Sequence, residues 1–252
     1  MIDIAIEIHD LRKSYGRRWF SRQTVNAVNG LTLEVRRGEI WALAGPNGAG
    51  KTTTLHCLLG LLAPDHGHIR VFGKDPLDPQ TRKPMGFQSE IFFSYPYRQA
   101  DDALRFYGRL SGLKDPDLQR RVDRALDLLG LSDVRHQMLG SFSKGMMQRI
   151  GLAQSLLHDP DLIVWDEPST GLDPEGRRLV ADLASQFRSQ GKTILLSTHI
   201  LSDIERVCDH IAIMNKGQML LSMEMKTLLQ NYPGKTLEDI YLETVRGRDN
   251  AR

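Results

Sequence analysis

Residues Gly45 to Thr52 read Gly-Pro-Asn-Gly-Ala-Gly-Lys-Thr and fit the Walker A pattern G-x-x-x-x-G-K-S/T. Before them, Glu39-Ile40-Trp41-Ala42-Leu43-Ala44 reads as a short apolar strand; after them, Thr53 to Leu59 reads as a helix. A strand feeding a helix through a glycine-rich loop constrains the fold tightly, because the loop must curl and the helix must start at once. Curled in this way, successive backbone N–H groups point inward, and the positive end of the helix adds its pull on an anion. The expected polyphosphate cradle is therefore Gly45, Pro46, Asn47, Gly48, Ala49 and Gly50, with Lys51, Thr52 and Thr53 opening the helix. Lys51 is expected to reach the β- and γ-phosphates, and the Thr52 hydroxyl to ligate Mg²⁺. Four fixed positions coincide by accident in roughly one chain in a hundred of this size. The flanking strand and helix make accident rarer still.

The 252 residues can bury a large core, as one domain or two closely packed lobes. A formal net charge of only +2 demands no polyanionic partner, and no nucleic acid is expected. The two cysteines, Cys57 in the helix after the loop and Cys208 in what reads as another helical pattern, have the character of small core residues. No disulfide framework is expected, which fits a reducing compartment. No early segment resembles a signal peptide, and no run approaches the roughly 20 apolar residues of a membrane-spanning helix. If the chain acts at a membrane, another polypeptide must cross it.

The opening Ile2 to Ile8 alternates as a half-buried strand does, and Val28 to Val35 reads as a second strand. The basic, aromatic connection Arg17 to Gln23, with Trp19 and Phe20, reads as a long hairpin tip rather than a docking patch. His68 to Gly73 and Met85 to Gln88 are strand-like. From Gln99 to Gly151 the pattern turns helical, with Asp115-Pro116 starting one helix and Gly130 ending it. Strands then resume at Leu162 to Trp165 and Thr193 to Ser197, separated by a helix around Leu179 to Phe187. These short strands are apolar throughout, as in a parallel sheet covered on both faces. The expected architecture is α/β: a mostly parallel core over 1–88 and 151–222 with an N-terminal antiparallel part, a helical insertion over 89–150, and a C-terminal helix and tail over 223–252.

Asp166 ends the apolar strand Leu162 to Trp165, where ligands gather in open α/β sheets. Paired with the phosphate loop it has the Walker B form and is expected to hold Mg²⁺. Glu167 follows at once, in place to take a proton from an attacking water. Gln88 and His199 end other strands of the same sheet, so strand topology would gather all four around one phosphate.

With these residues in hand, the chain resembles the nucleotide-binding subunit of an ATP-binding-cassette (ABC) transporter over essentially its whole length. Phe142-Ser143-Lys144-Gly145-Met146 is similar to that family's signature loop, and Ser169 to Pro174, with Asp173, to its D-loop. Gln88 resembles its Q-loop glutamine, His199 its switch histidine, and Tyr15 the aromatic residue on which adenine stacks. The signature departs from the family pattern at Lys144 and Met146, while Ser143 and Gly145, best suited to meet a γ-phosphate, stand.

The resemblance implies an ATPase whose catalytic residues are Glu167, His199 and Gln88, with Mg²⁺ held by Thr52, Gln88 and Asp166. It also implies that two such subunits sandwich two ATP molecules, the signature residues Ser143, Lys144 and Gly145 of each completing the site of the other. The partners implied are an integral membrane transporter subunit and a second copy or a related ATPase, at the cytoplasmic face of a bacterial inner membrane. Ser89 to Tyr97, the signature and the tail Thr236 to Leu242 are similar to stand-alone ATPase subunits of bacterial exporters. An uptake ATPase and a soluble ABC ATPase are the alternatives. The tail helix itself is expected to pack on its own core.

Overall fold

Short, mostly apolar strands need cover on both faces, and the computed structural model, which describes residues 3–16 and 24–249, shows how this chain supplies it. The connection bearing Trp19 and Phe20 lies outside the described residues. The strands are β1 (Ile4–Tyr15), β2 (Val25–Arg36), β3 (Ile40–Ala44), β4 (His66–Val71), β5 (Met85–Gln88), β6 (Leu162–Asp166), β7 (Thr193–Thr198), β8 (His210–Asn215) and β9 (Gln218–Glu224). The helices are α1 (Lys51–Leu58), α2 (Ala100–Leu110), α3 (Asp117–Leu128), α4 (Lys144–Leu156), α5 (Pro174–Ser189), α6 (Met225–Asn231) and α7 (Leu237–Asp249).

Six strands form the central sheet in the order β5-β6-β7-β3-β8-β9, parallel except for the antiparallel edge pair β8 and β9. Every residue of β3, β6 and β7 is buried. Alternate residues of these strands enter two different cores. Ile40, Ala42, Ile163, Trp165, Ile194 and Leu196 face α4, α5, α6 and α7. Trp41, Leu43, Leu162, Val164 and Leu195 face α1 and the separate antiparallel sheet β2-β1-β4. The period of two is present but hidden from a polarity pattern, because both faces are dry.

The helical part follows from amphipathic spacing. α2 buries Ala100, Ala103, Leu104 and Gly108; α3 buries Leu118, Val122, Ala125 and Leu126. These are the i, i+3, i+4 and i+7 or i+8 positions of one helix face. α4 continues past residue 150 to Leu156, so no break in the backbone marks the return to the sheet. At the C-terminus, Leu237 and Ile240 of α7 are fully buried in the same core as α5. The tail helix thus packs on its own chain.

Two features differ from the sequence reading. Cys208 is not helical: it lies in the irregular segment just before β8, although buried as expected. The hairpin β8–β9 was not anticipated at all. Its two-residue loop, Lys216-Gly217, has positive φ at both positions, as tight hairpins require. That loop is clamped from both sides: Gly217 N–H donates to Ala49 O at 3.0 Å, and Asn29 N–H donates to Gly217 O at 2.7 Å.

Candidate functional site

The parallel order β6-β7-β3 sets the C-terminal ends of three strands side by side, and the phosphate loop springs from the end of β3. Gly50 caps α1 at φ 103°, a conformation open mainly to glycine. A β-carbon there would also meet Ala27 O at 2.2 Å, so the position excludes any side chain. No side chain caps the first turn of α1, which leaves its N-terminus to an anion. Pro46 to Thr53 line a cleft of about 580 Å³ together with Tyr15, Asn26, Ala27, Glu90, Glu167 and Lys216.

Glu167 is the hub of this cleft. Its side chain is only 6% exposed, and Oε1 lies 3.0 Å from Lys51 Nζ. That contact is one of charge rather than an aligned hydrogen bond. Oε2 lies 2.7 Å from His199 Nδ1 and accepts from His199 N–H at 3.3 Å. Lys51 also donates to Gly45 O at 2.7 Å. Glu167 holds a left-handed backbone, φ 53°, which costs a non-glycine residue about 1–3 kcal/mol. Its N–H is held in return by Ser197 O at 3.2 Å and Ser197 Oγ at 3.0 Å. The same Ser197 hydroxyl donates to Asp166, so one serine of β7 fixes both Asp166, the last residue of β6, and Glu167 after it.

Tyr15 stands on the cleft wall, about half exposed, with its hydroxyl 3.3 Å from Thr53 Oγ1. The strand end that carries it is anchored by Asp65, which accepts from Lys13 Nζ at 2.6 Å and from Ser14 N–H at 2.7 Å. The hydrogen bond from Lys13, with those from Ser14, pulls the Asp65 carboxyl down to about 2.

Other candidates are placed less directly. Gln88 is fully buried and does not line the cleft; its Nε2 donates to Ser89 O at 2.6 Å, and its Oε1 has no partner. Asp173 caps α5, accepting from Gly176 N–H at 2.8 Å. Ser143 caps α4, accepting from Met146 N–H at 3.2 Å, and is exposed. Neither Ser143 nor Gly145 lines the cleft of its own chain. Lys144 is exposed, yet its alkyl chain lies over Gly171: a β-carbon there would come within 2.8 Å of Lys144 Cδ.

Glu90, Lys216 and Gln148 were not singled out from sequence. For Lys216 the available signal was a Lys-Gly turn between two apolar runs. For Gln148 it was a polar residue on the buried side of α4, among Ile150, Gly151, Leu152 and Ser155.

The residues present suit a hard divalent cation. Gln88 Oε1 is a buried oxygen without a partner, and Asp166 and Thr52 supply a carboxylate and a hydroxyl. Among the described residues no three His, Cys, Asp or Glu side chains cluster as a metal cage. One carboxylate with neutral oxygens is the donor set of an ion completed by phosphate oxygens and water, as Mg²⁺ is.

A phosphate loop after β3 facing the acidic pair Asp166 and Glu167 at the end of the parallel strand β6 defines a phosphate-loop nucleoside triphosphatase domain. The chain belongs to the ABC transporter family, whose model matches residues 28–170. It is 38% identical over 231 residues to an ABC transporter ATP-binding protein of Synechocystis, covering 91% of this chain and 65% of that one. It thus spans under two thirds of that relative's length. It is 36% identical over 248 residues to the Nod factor export ATP-binding protein I of Cupriavidus pinatubonensis, covering 96% of this chain and 74% of the relative. Among solved structures, the ATP-binding subunit of an ABC transporter superposes with a TM-score of 0.84 at 30% identity, covering 96% of this chain and 99% of that one.

Proposed function

We propose that the chain binds and hydrolyses ATP to power a bacterial exporter whose membrane-spanning part is a separate polypeptide. The observation that carries this is Glu167, held between Lys51 and His199 at the mouth of a phosphate loop. Lys51 binds the β- and γ-phosphates. As phosphate oxygens take over the lysine, the Glu167 carboxylate is released from that pair while His199 still orients it. Glu167 then accepts the proton of the attacking water. Tyr15 offers its ring to the adenine. Thr52, Asp166 and Gln88 would hold Mg²⁺, which would neutralise charge developing on the phosphates. Ser143, exposed at the start of α4, and Gly145, half-buried beside it, lie away from their own cleft and complete the site of a second subunit, so that ATP closes a dimer and hydrolysis opens it.

The export reading draws support from the Cupriavidus relative, which is named for export. Among the described residues no helix is long and apolar enough to cross a membrane. Ile91, Phe93 and Leu110, all more than half exposed, border a groove of about 820 Å³ beside the end of β5. That groove suits a cytoplasmic helix of the membrane subunit, with the ATPase peripheral at the cytoplasmic face of the inner membrane.

Glu167→Gln tests the reading. It keeps shape and hydrogen bonding but removes the base, so nucleotide binding is retained and hydrolysis falls about 10²–10⁴-fold. Near-parental turnover would reassign the base. Recovery of an integral membrane protein with the tagged chain, and vesicle transport in the outward direction only, tests the coupling.

A further inference from the structure

Glu167 is held by its backbone from two sides, and only one of them belongs to the sheet. Its N–H is bound by Ser197 of β7, next to Asp166 and the strand end. Its carbonyl is bound from the helical part: Gln148 Nε2 donates to Glu167 O at 3.0 Å and to Pro168 O at 3.2 Å. Gln148 is 3% exposed, a buried polar side chain on a helix. It sits on α4, whose first turn carries Ser143 and Gly145. A residue in the left-handed region, as Glu167 is, stays there only while its surroundings over-determine it. The two carboxamide bonds lock the peptides on the C-terminal side of Glu167, where Ser197 cannot reach.

We propose that Gln148 is a positioning residue for Glu167, fixing the backbone from which the carboxylate is aimed and joining it to the helix that carries Ser143. Gln148 touches no nucleotide; it acts through Glu167. The proposal rests on Glu167 being the base.

Two variants test it, Gln148→Met, which keeps length but cannot donate, and Gln148→Glu, which keeps shape but presents acceptors to two carbonyls. Each is expected to lower kcat for ATP at least ten-fold while KM and the Kd for a fluorescent ATP analogue stay within two-fold; retained binding also reports that the variant is folded. Gln148→Met is then combined with Glu167→Gln, and single-turnover hydrolysis is followed for hours so that residual rates are measured. Because the glutamine acts through Glu167, the double variant is expected to lie within two-fold of Glu167→Gln alone. Parental kcat in both Gln148 variants, or a double variant slower by the full Gln148→Met factor, overturns the proposal. A Glu167→Gln protein with unimpaired turnover overturns the base assignment itself and, with it, this positioning role; the two failures are read from different arms.

Discussion

Lys51 of the phosphate loop and Glu167 at the end of β6 form an ion pair at 3.0 Å, with side chains only 5% and 6% exposed. Two residues from different strand ends, each expected to serve the phosphate, thus neutralise one another within the fold. Removing one partner of a buried pair strands the other, which costs about 3–5 kcal/mol, more than the intact pair contributes.

Lys51→Ala is therefore expected to lose stability as well as nucleotide binding, since it leaves Glu167 facing His199 alone. Adding Glu167→Gln to Lys51→Ala removes the stranded charge and should restore part of that stability. Thermal melts of both single variants and the double variant measure this. A double variant whose loss is the sum of the singles would mean that the two side chains are not coupled.

Tyr15→Ala is expected to weaken ATP binding about three- to ten-fold, the equivalent of about 0.5–1.5 kcal/mol for a ring contact beyond its buried area. Tyr15→Phe should bind nearly as well as the parent, because only the hydroxyl bond to Thr53 is lost. Calorimetry with ATP and with inorganic triphosphate separates the base from the phosphates. A silent Tyr15→Ala would move the adenine platform elsewhere.

Asp65 gives the N-terminal sheet an acid-sensitive anchor. Its carboxyl is lowered from 3.8 to about 2, foremost by the hydrogen bond from Lys13. A depressed carboxyl contributes its stabilisation in full above its unfolded value, and that contribution fades as pH falls through the folded value. The stability gap between the parent and Asp65→Asn should be full well above pH 3.8, shrink as the pH falls from there through about 2, and be lost only below that. Denaturant titrations at several pH values measure the gap; one that does not shrink between neutral pH and pH 2 would contradict the anchor.

Ser143→Arg is expected to spare nucleotide binding by one subunit and abolish hydrolysis, by placing bulk between two facing subunits. Mixed in excess with Lys51→Ala, it forms a heterodimer in which one composite site is whole: its own intact loop facing the intact Ser143 of the other chain. Some turnover should then return where neither variant alone has any. Full activity of Ser143→Arg by itself would refute a role across the dimer.

Much of this protein can be read without coordinates because its key chemistry is local. The curl at Gly45 to Gly50, the immediate helix start at Lys51, and the carboxylate of Asp166 closing the apolar strand β6 are decided by neighbours within a few residues. So are the caps of α4 and α5 by Ser143 and Asp173. The alternation of strand and helix then suffices for the α/β class and for the family.

What the residue pattern left open depends on long-range neighbours. Sequence names Lys51, Glu167 and His199 as separate candidates; the strand order β6-β7-β3 brings both of the others into contact with Glu167. Gln88, alike in its position at a strand end, falls on the outer strand β5 and donates its amide to Ser89 O rather than lining the cleft. β8 lacks a polar alternation because its middle residues are buried on both faces, and the turn from it to β9 becomes part of the cleft only by docking on Ala49 and Asn29. Lys144 and Gln148 are neighbours on one helix, yet one lies over the Gly171 loop and the other is buried under Glu167. Local sequence sets the conformation of each segment, and packing across the sheet decides which side chains share a dielectric, a charge and a hydrogen bond.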